Sequence, residues 1–107
     1  MMQQIAVNLL DQWLRDPARP QPQLIDVREP WEFALGHLPG AVNIPMQTIP
    51  NRQNEIEDGP VVTICHHGMR SYQVALFLGN AGFTDLYNLT GGVDAWALQI
   101  DPSLGRY

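Results

Sequence analysis

The chain has a single cysteine, Cys65, among its 107 residues. One thiol cannot form an intrachain disulfide, so only an intermolecular bond or a free thiol remains. Positive charge is also scarce, with six Arg and Lys against eleven Asp and Glu for a net charge of −5. That balance argues against nucleic acid and anionic membrane surfaces as general partners, because both attract basic proteins. No apolar run approaches the length needed to span a bilayer. The start, Met1-Met2-Gln3-Gln4-Ile5, places no cationic region ahead of an apolar one. A soluble, cytoplasmic protein is therefore the expectation. Internal repeats and low-complexity segments are absent as well.

The residues that are there suit one globular domain. At 45% apolar and 16% charged, a chain of this length can bury one adequate core without a staple. Gln3 to Ile5 reads as a short edge strand. Val7, Leu10, Trp13 and Leu14 follow helical spacing, so a helix is expected over residues 7–15. Pro17, Pro20 and Pro22 end it and form a surface connection. Leu24 to Val27 reads as a strand. Pro30 then opens a short helix to Leu35, closed by Gly36. Ala41 to Ile44 is a short strand, and Pro45 to Glu57 a short helix plus loop. Val61 to Ile64 reads as a buried strand, followed by a helix from Ser71 to Asn80. Leu86 to Asn88 is a further strand. Gly91-Gly92 leads into a helix with Val93, Trp96, Ala97 and Ile100 on one face, and the tail after Asp101 carries no readable pattern. Trp13, Trp31 and Trp96 fall on expected helices and are assigned to the core.

Alternating strands and helices imply an α/β fold with a mainly parallel sheet covered on both faces. In such sheets ligands bind outside the carboxyl ends of the strands. Cys65-His66-His67-Gly68-Met69-Arg70-Ser71 lies at such an end, between the strand ending at Ile64 and the next helix. Asp26 and Arg28 lie at another. Free backbone N–H groups and the helix dipole converge where a strand hands over to a helix, and both favour anions. A thiolate is an anion, so Cys65 is expected to be a nucleophile rather than an inert core thiol.

Three stretches together carry a family resemblance. Asp26-Val27-Arg28-Glu29, Glu32-Phe33 and Gly36-His37-Leu38-Pro39-Gly40-Ala41-Val42-Asn43-Ile44-Pro45 resemble the upstream signature of rhodanese-like domains. Cys65-x-x-Gly68-x-Arg70-Ser71 is similar to their active-site loop. Gly82-Phe83 and Leu89-x-Gly91-Gly92-x-x-x-Trp96 resemble their closing segment. The match runs from about residue 5 to residue 100, within a single domain over residues 1–107 like the stand-alone members. It implies a five-stranded, mainly parallel sheet flanked by helices on both faces. It also implies a sulfurtransferase working through a cysteine persulfide, with no cofactor.

In that chemistry the Cys65 thiolate attacks the outer sulfur of a donor such as thiosulfate, and sulfite leaves. An acceptor, cyanide or a thiol, then takes the sulfur, a two-step course with ping-pong kinetics. The loop amides from His66 through Gly68 and Met69 to Ser71 are expected to form a nest around the negative outer sulfur. Arg70 is expected to hold the charged oxygens of thiosulfate through paired hydrogen bonds, its alternative being a structural carboxylate near the loop. Ser71 is expected to cap the following helix, with its hydroxyl also in reach of the thiolate. Asp26 and Arg28 are expected to form an ion pair that braces the loop, and His37 to be structural. His66 and His67 beside Cys65 suggest a metal, but three consecutive residues rarely converge on one ion, and neither CxxC nor HExxH spacing is present, so none is expected.

Two other readings compete. Phosphatases and arsenate reductases use C-x5-R loops, whereas four residues separate Cys65 from Arg70. Phosphoester cleavage would also need an acid for its leaving group. A binding or regulatory module, or a sulfur carrier fed by a partner such as a thioredoxin-like or sulfur-relay protein, would share the loop without independent turnover.

Overall fold

The computed structural model describes residues 2–105 and 107. Five strands form one sheet: β1 (Met2–Ile5), β2 (Gln23–Asp26), β3 (Val42–Asn43), β4 (Val61–Ile64) and β5 (Leu86–Leu89). Their order across the sheet is β1-β5-β4-β2-β3, and every pairing is parallel. Parallel neighbours need crossovers, and the helices supply them. These are α1 (Val7–Leu14), α2 (Pro30–Leu35), α3 (Ile49–Arg52), α4 (Met69–Asn80) and α5 (Gly92–Gln99).

Side chains alternate across a strand, so the sheet builds two cores. On one face Leu24, Val62, Ile64 and Leu89 pack with Val7, Leu10 and Trp13 of α1 and Val93 and Trp96 of α5. On the other Ile25, Val61 and Leu86 pack with Ile49 of α3 and Val74 and Leu78 of α4. All four residues of β4 are buried, as expected for the centre of a doubly covered sheet. Cys65 belongs to the α4 side. The same side carries two buried polar residues, Thr63 and Asn88, at paired positions of β4 and β5.

Trp13 and Trp96 lie in the core, but Trp31 is 61% exposed, which corrects its assignment. The helix α2 has only six residues and buries Glu32. Successive helical residues point about 100° apart, so a neighbour of the inward residue faces outward. The tail forms a short 3₁₀ turn over Pro102–Leu104. Asp101 anchors it, its Oδ1 accepting from the Ser103 hydroxyl at 2.6 Å and the Ser103 amide at 3.1 Å. Leu104 packs on the α1/α5 core.

Candidate active site

Cys65 follows the last residue of the central strand, and its side chain is buried beneath the loop that leads to α4. Gly68 turns that loop with φ of +103°, a value L side chains avoid, and its amide donates to Cys65 Sγ at 3.1 Å. Helix α4 starts directly after it, at Met69. The helix therefore begins two residues earlier than its apolar pattern suggests. Ser71 is its third residue rather than its cap, a correction with a consequence for the site. Fully buried, the Ser71 hydroxyl lies 3.3 Å from Cys65 Sγ and donates to Asn88 Oδ1.

Helix α5 holds the loop from the opposite side. The Val93 amide donates to Cys65 O at 2.8 Å, and the Asp94 amide to His66 O at 3.0 Å. This close contact needs Gly92: a Cβ there would sit 2.3 Å from Cys65 O and 2.4 Å from His66 O. In a trans peptide the N–H points opposite its C=O. With those two carbonyls turned to α5, the amides of His66 and His67 face away from it.

Both site arginines are engaged by carboxylates. Arg28 and Asp26 have fully buried side chains, with Arg28 Nη2 2.7 Å from Asp26 Oδ2 and Nε 2.9 Å from Oδ1. Nη2 also donates to Gly36 O at 2.8 Å. Asn43 ties the same turn by donating to the carbonyls of Asp26 and Arg28, each at 3.0 Å. Arg70 gives Nη1 to Glu32 Oε1 at 2.7 Å and Nη2 to Oε2 at 3.0 Å. The Glu32 carboxylate also accepts from the Glu29 amide at 2.9 Å. The Arg70 hydrogen bonds, helped by those of Tyr107 and Glu29 and opposed by burial, hold the Glu32 pKa down at about 2.

Tyr107 joins the two ion pairs. Its hydroxyl donates to Glu32 Oε2 at 2.7 Å and accepts from Arg28 Nη1 at 3.1 Å. Its ring meets His66 edge-on at 4.1 Å and Trp31 at 5.9 Å. Burial, then the hydrogen bond to Glu32, pushes its phenol pKa up. Burial, then the neighbouring His67, pushes the His66 pKa down and favours neutral imidazole. His67 Nε2 lies 3.6 Å from Asp94 Oδ2, and the ligand atoms of His66, His67 and Asp94 fall within 4.8 Å of one another. These three are the side chains at the loop best placed to meet a cation. His37 stacks on Phe33 at 3.7 Å, and its Nδ1 meets Phe33 O at 2.8 Å.

The site thus contains the whole run from Cys65 to Ser71, with Asp26 and Arg28 beside it. Glu32, Asn88, Asp94 and Tyr107 join it without having been assigned to it from the sequence. Asn88 and Thr63 did leave a sequence signal, as polar residues within apolar strands. Met69 is 78% exposed at the loop's rim.

Comparison with known proteins places the chain in a family. Residues 9–99 match the family model described as "Rhodanese-like domain". The chain is 48% identical over 79 residues to the uncharacterized protein YqhL of Bacillus subtilis, covering 73% of this chain and 63% of that protein, less than two thirds of its length. It is 45% identical over 75 residues to a sulfurtransferase of Allochromatium vinosum, covering 69% of this chain and 70% of the other. Among solved structures, the rhodanese-like domain protein of Staphylococcus aureus superposes with a TM-score of 0.82 at 34% identity, over 89% of this chain and 91% of that one.

Proposed function

The chain belongs to the rhodanese-like domain family, and from that premise we propose that it is a sulfurtransferase that moves a sulfane sulfur from thiosulfate to cyanide or a thiol through a persulfide on Cys65. The observation that carries this reading is the placing of Cys65 Sγ, with the Gly68 amide 3.1 Å away at the N-terminus of α4. An amide aimed at a buried sulfur at a helix start favours negative charge developing on that sulfur, which is what sulfur transfer through it requires.

In the first half-reaction the Cys65 thiolate attacks the outer sulfur of thiosulfate. A new S–S bond forms, the old one breaks, and its electron pair leaves with sulfite. Sulfite is stable as an anion, so no general acid is needed. Charge then rests on the outer sulfur of the persulfide. The His66 and His67 amides, turned from α5, and the remaining loop amides as far as Ser71 cradle that charge. Preorganised amides of this kind each supply about 3 kcal/mol to a charged transition state. In the second half-reaction the acceptor takes the outer sulfur and Cys65 leaves as thiolate. A cytoplasmic location fits this chemistry, since a free thiol is retained there.

A second reading, a carrier loaded by a protein donor, is favoured by the pairing of Arg70 with Glu32. That pairing engages the guanidinium the loop would otherwise offer to thiosulfate oxygens. The exposed Met69 and Trp31 give a protein donor apolar contacts near the loop.

One experiment separates them. The pure protein and Cys65→Ser are assayed for thiosulfate-to-cyanide transfer, and intact mass is taken after thiosulfate alone. Thiocyanate together with one added sulfur, both lost in the variant, is the expected result. No added sulfur from thiosulfate, but loading by a protein persulfide, would replace thiosulfate by a protein donor.

A further inference from the structure

Asn88, on β5 beside the central strand, is 2% exposed and on the same face as Cys65. Its side-chain amide has one allowed orientation. Nδ2 lies 3.1 Å from Gly68 O, and a carbonyl can only accept, so the NH₂ faces Gly68. The same NH₂ donates to Gln4 Oε1 at 2.8 Å. Asn88 Oδ1 must then face Ser71, whose hydroxyl donates to it. That hydroxyl has a single proton and a second neighbour that wants it, Cys65 Sγ at 3.3 Å.

The two claims on that proton change through the reaction proposed above. When Cys65 is a thiolate, Sγ carries the charge and is the stronger acceptor. When it carries a persulfide, the inner sulfur is neutral and Asn88 Oδ1 is the better partner. We propose that Asn88 is a positioning residue for sulfur release: it holds the Ser71 hydroxyl while the inner sulfur is neutral and yields it to Cys65 as charge returns. In that step the acceptor's lone pair bonds to the outer sulfur. The S–S bond breaks, and its electron pair stays on Cys65 Sγ. The proton remains on Ser71 throughout; only its hydrogen bond turns.

This proposal rests on the persulfide reading, but its first test needs no sulfur transfer. The rate at which iodoacetamide alkylates Cys65 is followed against pH, without any sulfur donor. Four proteins are compared: the unaltered chain, Ser71→Ala, Asn88→Ala and the double variant. Ser71→Ala removes the donor, so the alkylation midpoint moves to higher pH. Asn88→Ala frees the hydroxyl for the thiolate, so the midpoint falls and the rate below it rises roughly tenfold. The double variant matches Ser71→Ala. If Asn88 serves only to hold Gly68, its loss raises the midpoint, by the same amount with or without Ser71, and that result overturns the proposal. Should Asn88→Ala fail to fold, Asn88→Asp takes its place. Its charge holds the hydroxyl harder, so the midpoint rises more with Ser71 present than absent, and equal rises overturn the idea.

The release step is read separately, by discharging preformed persulfide to cyanide, which Ser71→Ala slows roughly tenfold. A chain that alkylates as described but never gains sulfur mass would refute the sulfurtransferase reading and leave the hydrogen-bond competition standing. A chain that loads sulfur but shows no competition would do the reverse.

Discussion

Arg70 and Glu32 meet fork to fork, with two parallel hydrogen bonds of 2.7 and 3.0 Å joining the start of α4 to the first turn of α2. The two helices start at the carboxyl ends of β4 and β2, which are neighbours in the sheet. The pair therefore closes the gap between two crossovers just where Cys65 sits. Bidentate geometry fixes orientation as well as distance, which a lysine could not do. Tyr107 extends the link to Arg28 and Asp26, so one hydrogen-bonded chain runs from the loop to the buried end of β2.

Replacing Glu32 with Gln removes the charge that Arg70, Tyr107 and the Glu29 amide all address. Glu32 is nearly buried, but the Arg70 side chain is 37% exposed and can recover water. The loss is therefore below that of a fully buried pair, about 2 kcal/mol. Urea denaturation should show a lower midpoint with an unchanged slope. A midpoint equal to that of the unaltered protein would mean that the link contributes nothing to stability.

The same carboxylate makes an acid signature. Its pKa is depressed to about 2 in the folded chain, chiefly by Arg70, against about 4.3 when unfolded. The unfolded state thus binds its proton first as pH falls. The stabilisation is complete above about 4.3 and is lost as pH drops towards 2. Stability curves of the protein and of Glu32→Gln, taken from pH 7 to pH 2, should run parallel above pH 5 and converge below it. Curves parallel down to pH 2 would show that Glu32 titrates normally.

The strand–helix alternation was legible because local pattern and tertiary burial agree. Val61 to Ile64 is a run of β-branched residues, apolar but for Thr63, and a strand covered on both faces calls for such a run. Pro30 opens α2, as its type suggests, and Cys65 follows directly on the central strand. Failures occurred where something other than local hydrophobic periodicity decides. Trp31 reads as core by type, yet a six-residue helix has room to bury little, and it buries Glu32 for Arg70. Ser71 reads as a cap, yet Gly68 in a left-handed conformation starts the helix earlier. Tyr107 follows a tail with no periodicity, and its hydrogen-bond partners lie 75 and 79 residues away. No local signal predicts a hydrogen bond over that separation.

Gly92→Ala tests whether α5 sets the loop. The added Cβ would meet two backbone carbonyls at 2.3 and 2.4 Å, and φ at Gly92 is +61°. Backbone cannot step aside as a flexible side chain can, so the loop must shift. A displacement of about 1 Å near a reacting atom costs on the order of 10²-fold in rate. Sulfur loading by thiosulfate, followed by intact mass over time, should slow by about that factor, while circular dichroism still reports the folded chain. Unchanged loading would mean that the contact with α5 is incidental to the chemistry.

Asp26 and Arg28 give the sharpest contrast between breaking a pair and replacing it. Both side chains are fully buried. Arg28→Met leaves Asp26 charged in the interior, which costs about 3 to 5 kcal/mol. It also strips one donor from Tyr107 and one from Gly36 O. Converting Asp26 to Leu in the same chain removes the stranded charge, so the double variant should recover most of the loss despite having two substitutions. Activity should not follow stability in this pair of variants. The Asp26 side chain also accepts the Arg28 amide at 3.0 Å, a bond that shapes the turn after β2. A double variant that is stable but loads sulfur slowly would place the role of the pair in shaping the site. One that recovers both would reduce it to charge compensation.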